Sequence, residues 1–103
     1  MAFTATLTTE AGTATIKLSG ELDAFTAPQL LDKLDEAAAA AAHRLILQAE
    51  ELTYIASAGL RVLVFTRQKL GEDASIVITG AVDTVARTIR MAGLDRSIEM
   101  TVA

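Results

Sequence analysis

The stretch TYIASAGLRVL, residues 53–63, joins a loop to an amphipathic helix and places the hydroxyl of Ser57 at that join. Leu60, Leu63 and Val64 recur at helical spacing, which predicts a helix that begins near Ser57. Unpaired backbone N–H groups and the positive end of the helix dipole converge at such a helix start. A phosphoryl group on Ser57 would be stabilised there, so Ser57 is a candidate phosphoacceptor. The same position also suits a plain N-cap, which is the commoner use of a serine.

Strand patterns lie on both sides of this stretch. Residues 3–7 and 14–18 alternate apolar with polar side chains around a turn, which predicts a β-hairpin with one buried face. Residues 44–49 and 74–79 are short apolar runs that predict buried strands, and alternation over residues 98–102 predicts a final edge strand. Between these strands, residues 20–24 and 50–55 are predicted to break the strand pattern as loops.

A first helix is predicted to begin at Thr26, because Thr26 can cap it and Pro28 falls in the first turn, where its missing N–H costs little. The alanine-rich run 37–42 is expected to extend this helix, since alanine is the strongest helix former. Its inner stripe is predicted to be Leu30, Leu31, Leu34 and Ala38.

The Ser57 helix is predicted to end near Gly71, and a third helix over residues 82–89 is predicted to close at Gly93. The resulting order is β-β-α-β-α-β-α-β. We therefore predict an α/β fold with a mixed β-sheet, made from an N-terminal hairpin plus βα units, with helices packed against it. Neighbouring strands should run parallel wherever a helix connects them.

The length of 103 residues is suited to one domain, residues 1–103, with a single core. A net charge of -4 argues against nucleic-acid or anionic-membrane partners, because both need a basic patch. The chain has no cysteine, so it offers neither a disulfide nor a thiolate ligand. It also opens without the features of a secretory signal and has no run of transmembrane length. We expect a soluble cytoplasmic protein.

Catalytic chemistry is poorly supported. The segment Ala-Ser-Ala-Gly, residues 56–59, lacks the first glycine of a G-x-S-x-G nucleophile elbow. A serine nucleophile also needs a base, and nothing places His43, the only histidine, near Ser57. Glu50 and Glu51 are adjacent and should point apart. No phosphate loop or cluster of metal ligands is present in the sequence, so we expect no catalytic residue, metal site or cofactor.

A phosphate on Ser57 would instead suit a binding module. It would add about -1.5 to -2 charge at neutral pH. If a partner presents an acidic or apolar surface to this helix start, that charge brings repulsion and a desolvation cost, so binding is switched off.

The sequence resembles the STAS domain, in particular the stand-alone anti-sigma factor antagonists of bacteria, over nearly the whole chain. The segments that carry the resemblance are LSGELD with the following TA (residues 18–23 and 26–27), LIL (45–47), LTYI (52–55), SAGL (57–60) and residues 82–94. The resemblance implies a domain that binds a serine-kinase anti-sigma factor, is phosphorylated by it on Ser57 and is reactivated by a PP2C-type phosphatase. Unphosphorylated, such a protein sequesters the anti-sigma factor and frees a sigma factor. The docking residues implied are Asp23, Ala24, Thr26, Tyr54, Ile55, Ala56, Ser57, Ala58, Gly59, Leu60 and Arg61.

Two positions depart from the family pattern. The family usually has an aspartate just before the phosphoacceptor and another in the preceding strand, where this chain has Ala56 and Gln48. With Ala56 at the helix start, capping is expected to fall to Ser57, which would compete with phosphoryl acceptance. The loss of a nearby carboxylate, however, also lowers the repulsion on a phosphoserine. The two effects oppose each other.

Three hypotheses follow from the sequence. The first is an anti-sigma factor antagonist that works by partner switching, with Ser57 as the switch. The second is a STAS scaffold that binds its partner constitutively, because both aspartates are absent. The third is a sensor that binds a nucleotide or another small anion at the start of the Ser57 helix.

Overall fold

The structure is a computed structural model that describes residues 2–103, and Met1 of the predicted domain lies outside the described residues. The elements follow the predicted order of strands and helices. They are β1 (Thr4–Glu10), β2 (Thr13–Leu22), α1 (Ala27–Ala39), β3 (Arg44–Ile55), α2 (Ser57–Leu70), β4 (Ser75–Ala81), α3 (Asp83–Met91) and β5 (Glu99–Val102), with a short 3-10 helix at Leu94–Arg96 before β5.

The strands form a mixed sheet in the order β1-β2-β3-β4-β5. β1 and β2 are antiparallel and form the predicted hairpin. β2, β3, β4 and β5 are mutually parallel, and a helix stands between each successive pair. The predicted fold class and strand directions are therefore confirmed.

One face of the sheet carries the core. Ile16, Leu47 and Ile78 lie side by side on β2, β3 and β4, and each is at most 3% exposed. The neighbouring row on the opposite face is polar and consists of Lys17, Gln48 and Thr79. Because one face is apolar and the other polar, the helices pack on the first. Their residues in the core cluster include Leu30, Leu34, Leu63, Val85 and Ile89.

β2 and β3 continue beyond their predicted ends, so the loop predicted at residues 50–55 is wrong, and the loop predicted at residues 20–24 is confirmed only for Asp23 and Ala24. The two strands stay paired as far as Leu22 and Ile55, because register shifts at two places absorb the irregular segments. Leu52 and Ile55 keep the strand in place by pointing into the core, where they are 2% and 5% exposed.

The end predicted for the first helix is also wrong. α1 stops at Ala39, and Ala41 adopts a positive φ of 57° instead of extending the helix. The carbonyl of Gly12 accepts hydrogen bonds from the amides of His43 (2.9 Å) and Arg44 (3.2 Å), which turns the chain toward β3. These hydrogen bonds between distant segments outweigh the helix propensity of the alanine run.

The inner stripe of α1 differs in part from the prediction. Leu30 and Leu34 are buried as expected, whereas Leu31 and Ala38 are only partly buried. Ala37 takes the inward position, at 1% exposure. Across residues 2–103 no helix is long and apolar enough to cross a membrane.

Candidate functional site

The carboxyl ends of β2 and β3 lie next to each other. Leu22 is the register partner of Ile55, and the amide of Ala56 donates a 2.8 Å hydrogen bond to the carbonyl of Leu22. The loop that follows β2 is thereby brought beside the first turn of α2. At this end of the sheet the surface is formed by the segments that follow the strands.

Ser57 is the first residue of α2. Ala56 occupies the N-cap position in an extended conformation, with no side-chain cap, and its carbonyl accepts the amides of Gly59 (3.0 Å) and Leu60 (3.2 Å). The Ser57 side chain is exposed, and its hydroxyl makes no hydrogen bond to any other described residue. The interpretation of Ser57 as the N-cap is therefore wrong, and its hydroxyl is accessible.

Gly59 sets how closely this helix start approaches the sheet. A Cβ at Gly59 would lie 2.8 Å from the Leu22 side chain and 2.9 Å from that of Ile55, closer than packed side chains allow. The absence of a side chain at Gly59 lets the first turn of α2 rest directly on the ends of β2 and β3. The position of Ser57 relative to the Asp23 loop is fixed by this contact.

The loop after β2 is closed by its own hydrogen bonds. The carboxylate Oδ1 of Asp23 accepts the backbone amides of Phe25 and Thr26, both at 3.0 Å. The Thr26 hydroxyl accepts the Asp23 amide at 2.9 Å and donates to the carbonyl of Glu21 at 2.9 Å. Because this hydroxyl points back into the loop and caps no helix amide, the predicted capping role of Thr26 is wrong. The Asp23 carboxylate instead accepts the backbone amides of the turn that leads into α1.

Phe25 is the functional candidate that the sequence reasoning missed. Its side chain is 91% exposed at the tip of this loop, and Tyr54 near the end of β3 is 51% exposed. An exposed aromatic ring that a turn holds beside Ser57 could bury a large apolar area against a partner, so Phe25 is a candidate contact residue. The available signal was an aromatic between the segment that breaks the strand pattern, residues 20–24, and the predicted helix start at Thr26.

The outward side of α2 continues this surface. Ser57, Arg61, Val64 and Gln68 follow one another at helical spacing and are all exposed, with Phe65 beside them. The helix holds three basic residues and no acidic ones, and Arg61 is the one that follows Ser57 on this exposed side. A partner that contacts Ser57 would meet both apolar and basic groups here.

The predicted docking residues divide into two groups. Exposed positions that a partner could touch are Ala24, Tyr54, Ser57 and Arg61, while Asp23, Thr26, Ala56, Ala58 and Leu60 are half-buried. Ile55 and Gly59 are buried and position their neighbours instead. The structure brings the predicted residues together at one edge, and their docking role stays a prediction.

The acid–base candidates of the sequence, His43, Glu50 and Glu51, are not brought together at Ser57. His43 precedes β3 and Ser57 follows it, so the two lie at opposite ends of that strand. Glu51 pairs with Lys17 at 2.9 Å, and Glu50 packs against Gly80, so the adjacent carboxylates do point apart. Among the described residues no group of three or more His, Cys, Asp or Glu side chains could hold a metal ion.

Comparison with known proteins agrees with this architecture. A family model described as "Mlab, STAS domain" matches residues 5–102. The anti-sigma-F factor antagonist RsfB of Mycobacterium tuberculosis is 26% identical over 97 residues, which are 94% of this chain and 80% of that protein. The anti-sigma-B factor antagonist of Staphylococcus aureus is 30% identical over 80 residues, which are 77% of this chain and 74% of that protein.

Solved structures show the same fold. An anti-sigma factor antagonist from Mycobacterium paratuberculosis superposes with a TM-score of 0.89 at 24% identity, covering 99% of this chain and 87% of its own. The anti-sigma factor antagonist SpoIIAA in its unphosphorylated form gives a TM-score of 0.75 at 22% identity. The match covers 99% of this chain and 89% of the SpoIIAA chain.

Proposed function

The chain belongs to the STAS-domain family, whose members compared above include anti-sigma factor antagonists, and on that premise we propose that it binds a serine-kinase anti-sigma factor and is switched by phosphorylation of Ser57. The observation that carries this proposal is the exposed, unbonded hydroxyl of Ser57 at the start of α2, beside the Asp23 loop. In the switching step the γ-phosphoryl group of ATP is transferred to the Ser57 oxygen, the hydroxyl proton is released and ADP leaves.

The switch acts through local charge. A phosphate on Ser57 adds about -1.5 to -2 charge at neutral pH at the start of the exposed side of α2. Partner groups packed there would face an uncompensated, strongly hydrated charge, so the complex dissociates. The core of the domain lies behind buried Ile55 and Gly59 and need not change.

A PP2C-type phosphatase would restore the free hydroxyl and thereby the binding. The domain, proposed as one unit over residues 1–103, would work as a binding module in the cytoplasm and as a substrate of these enzymes rather than as a catalyst. The position of His43 at the opposite end of β3 from Ser57 supports a substrate role.

The decisive measurement is the intact mass of the protein after incubation with ATP, magnesium and the serine-kinase anti-sigma factors encoded beside it. We expect a gain of one phosphate that is absent in the Ser57→Ala variant. In gel filtration with the same partner, wild-type protein and Ser57→Ala should each form a complex. Phosphorylated protein should not form it.

The constitutive-scaffold hypothesis predicts a different result, and it is favoured by Ala56 and Gln48, which stand where the family usually has aspartates. In that case the complex forms, no phosphate is gained, and Ser57→Glu binds as well as wild type. A switch requires Ser57→Glu to lose most of the binding.

A further inference from the structure

Arg61 lies one helical turn after Ser57 on the outward side of α2, and both side chains are exposed. Side chains four residues apart on a helix are neighbours, with Cβ atoms about 5 to 6 Å apart. A guanidinium at position 61 can therefore reach a phosphate on the residue 57 oxygen without any change in the backbone.

Among residues 2–103, Arg61 differs from the other basic residues of α2 in having no partner for its side chain. Arg67 donates to the carbonyl of Ser97 at 3.2 Å and also to the carbonyls of Gly71 and Ala74. Lys69 forms a 2.6 Å ion pair with Asp35 of α1. Within residues 2–103, Arg61 forms neither an ion pair nor a hydrogen bond through its side chain. Arg61 can therefore bind a new anion without breaking an ion pair or hydrogen bond to another described residue.

We propose that Arg61 binds phosphoserine 57 in an intrahelical pair, an inference that rests on the proposed phosphorylation of Ser57. The guanidinium can donate two parallel N–H bonds to the phosphate oxygens, which is the geometry that arginine forms best. An acidic group N-terminal to a basic group at this spacing is the favourable order, because each then also opposes the helix dipole.

The pair gives phosphorylation of Ser57 two effects on partner binding. Phosphorylation would both add negative charge at residue 57 and withdraw the free cation of Arg61 from the docking surface. A partner that pairs an acidic group with Arg61 would lose that contact and gain a repulsive neighbour at the same time. Other charged groups at this edge, Glu21, Asp23 and Asp83, are acidic and would not compete for the phosphate.

The pair can be tested without any kinase. Phosphoserine is encoded directly at position 57, and its second ionisation is followed by phosphorus NMR in wild-type protein, in Arg61→Gln and in Arg90→Gln. Arg90 is the matched control, because it is an exposed arginine in the last turn of α3 that forms no ion pair with any other described residue.

We expect the second pKa of the phosphate in wild type to lie roughly 0.5 below that in Arg61→Gln, because the guanidinium stabilises the dianion. In Arg90→Gln the phosphate should have the same second pKa as in wild type. Added salt should reduce the pKa difference between wild type and Arg61→Gln. Identical titration of wild type and Arg61→Gln, or an equal shift in Arg90→Gln, would overturn the pair. If the kinase assay fails but the expected pKa difference between wild type and Arg61→Gln is found, the proposed function is contradicted and the pair between Arg61 and phosphoserine 57 is supported.

Discussion

The amide of Asp23 donates a 2.9 Å hydrogen bond to the hydroxyl of Thr26, and the carboxylate of Asp23 accepts the amide of Thr26 at 3.0 Å. These reciprocal bonds close the loop after β2 and hold Phe25 at its tip. A preorganised loop loses little conformational entropy when a partner binds, so its rigidity favours affinity.

Asp23→Ala should therefore weaken partner binding and lower the free energy of unfolding by about 1 kcal/mol, because two backbone amides lose their acceptor. Calorimetric titration and urea denaturation measure the two effects. Asp32→Ala, which removes an exposed carboxylate from α1, is the control for charge. Equal binding by both variants would show that the loop bonds do not contribute.

Phe25→Ala should reduce affinity for the anti-sigma partner roughly tenfold, since exposed aromatics are frequent interface hot spots. The variant should fold normally, because 91% of the Phe25 side chain already lies in water. Met91→Ala is the matched control, since Met91 is 82% exposed at the end of α3, away from the Ser57 edge. If both variants bind like wild type, Phe25 is outside the interface.

Gly59→Ala should destabilise the protein by about 1 to 3 kcal/mol, although alanine is the better helix former. The added methyl group would lie within 2.8 Å of the Leu22 side chain and force α2 away from the sheet. Thermal denaturation would reveal the loss, with Gln68→Ala on the exposed side of α2 as the neutral comparison. A Gly59→Ala variant more stable than wild type would contradict the tight contact.

Ala56→Asp should stabilise the protein by about 1 kcal/mol, because the N-cap of α2 has no side-chain acceptor. In a domain of this size that corresponds to a melting temperature higher by roughly 4 to 8 °C. Ala24→Asp adds the same charge to the neighbouring loop and should give no such gain. A melting temperature unchanged in Ala56→Asp would mean that the first amides of α2 are already satisfied by water.

Much of the fold was predictable from side-chain periodicity. Alternation around Ile16 and the compact run around Leu47 each identify a strand, because one face of this sheet is buried. The start of α2 was predictable for a similar reason, since the helical spacing of Leu60 and Leu63 begins just after Ser57. The place of the candidate switch thus follows from local sequence.

Other features depend on contacts between distant segments. The end of α1 is decided by the Gly12 carbonyl, which captures the amides of His43 and Arg44. The length of β3 is decided by register shifts against β2 that no local pattern marks. The exposure of Phe25 depends on hydrogen bonds within a loop whose conformation the sequence pattern leaves open.

The edge position of β1 has a consequence for handling the protein. Thr4–Glu10 carries no lysine, arginine or proline, the residues that normally keep an edge strand from pairing with another chain. Colloidal stability then depends on the repulsion between copies that each carry a net charge of -4, and salt weakens that repulsion. Light scattering across a salt series should show self-association growing with ionic strength, and an added lysine on the outer face of β1 should suppress it.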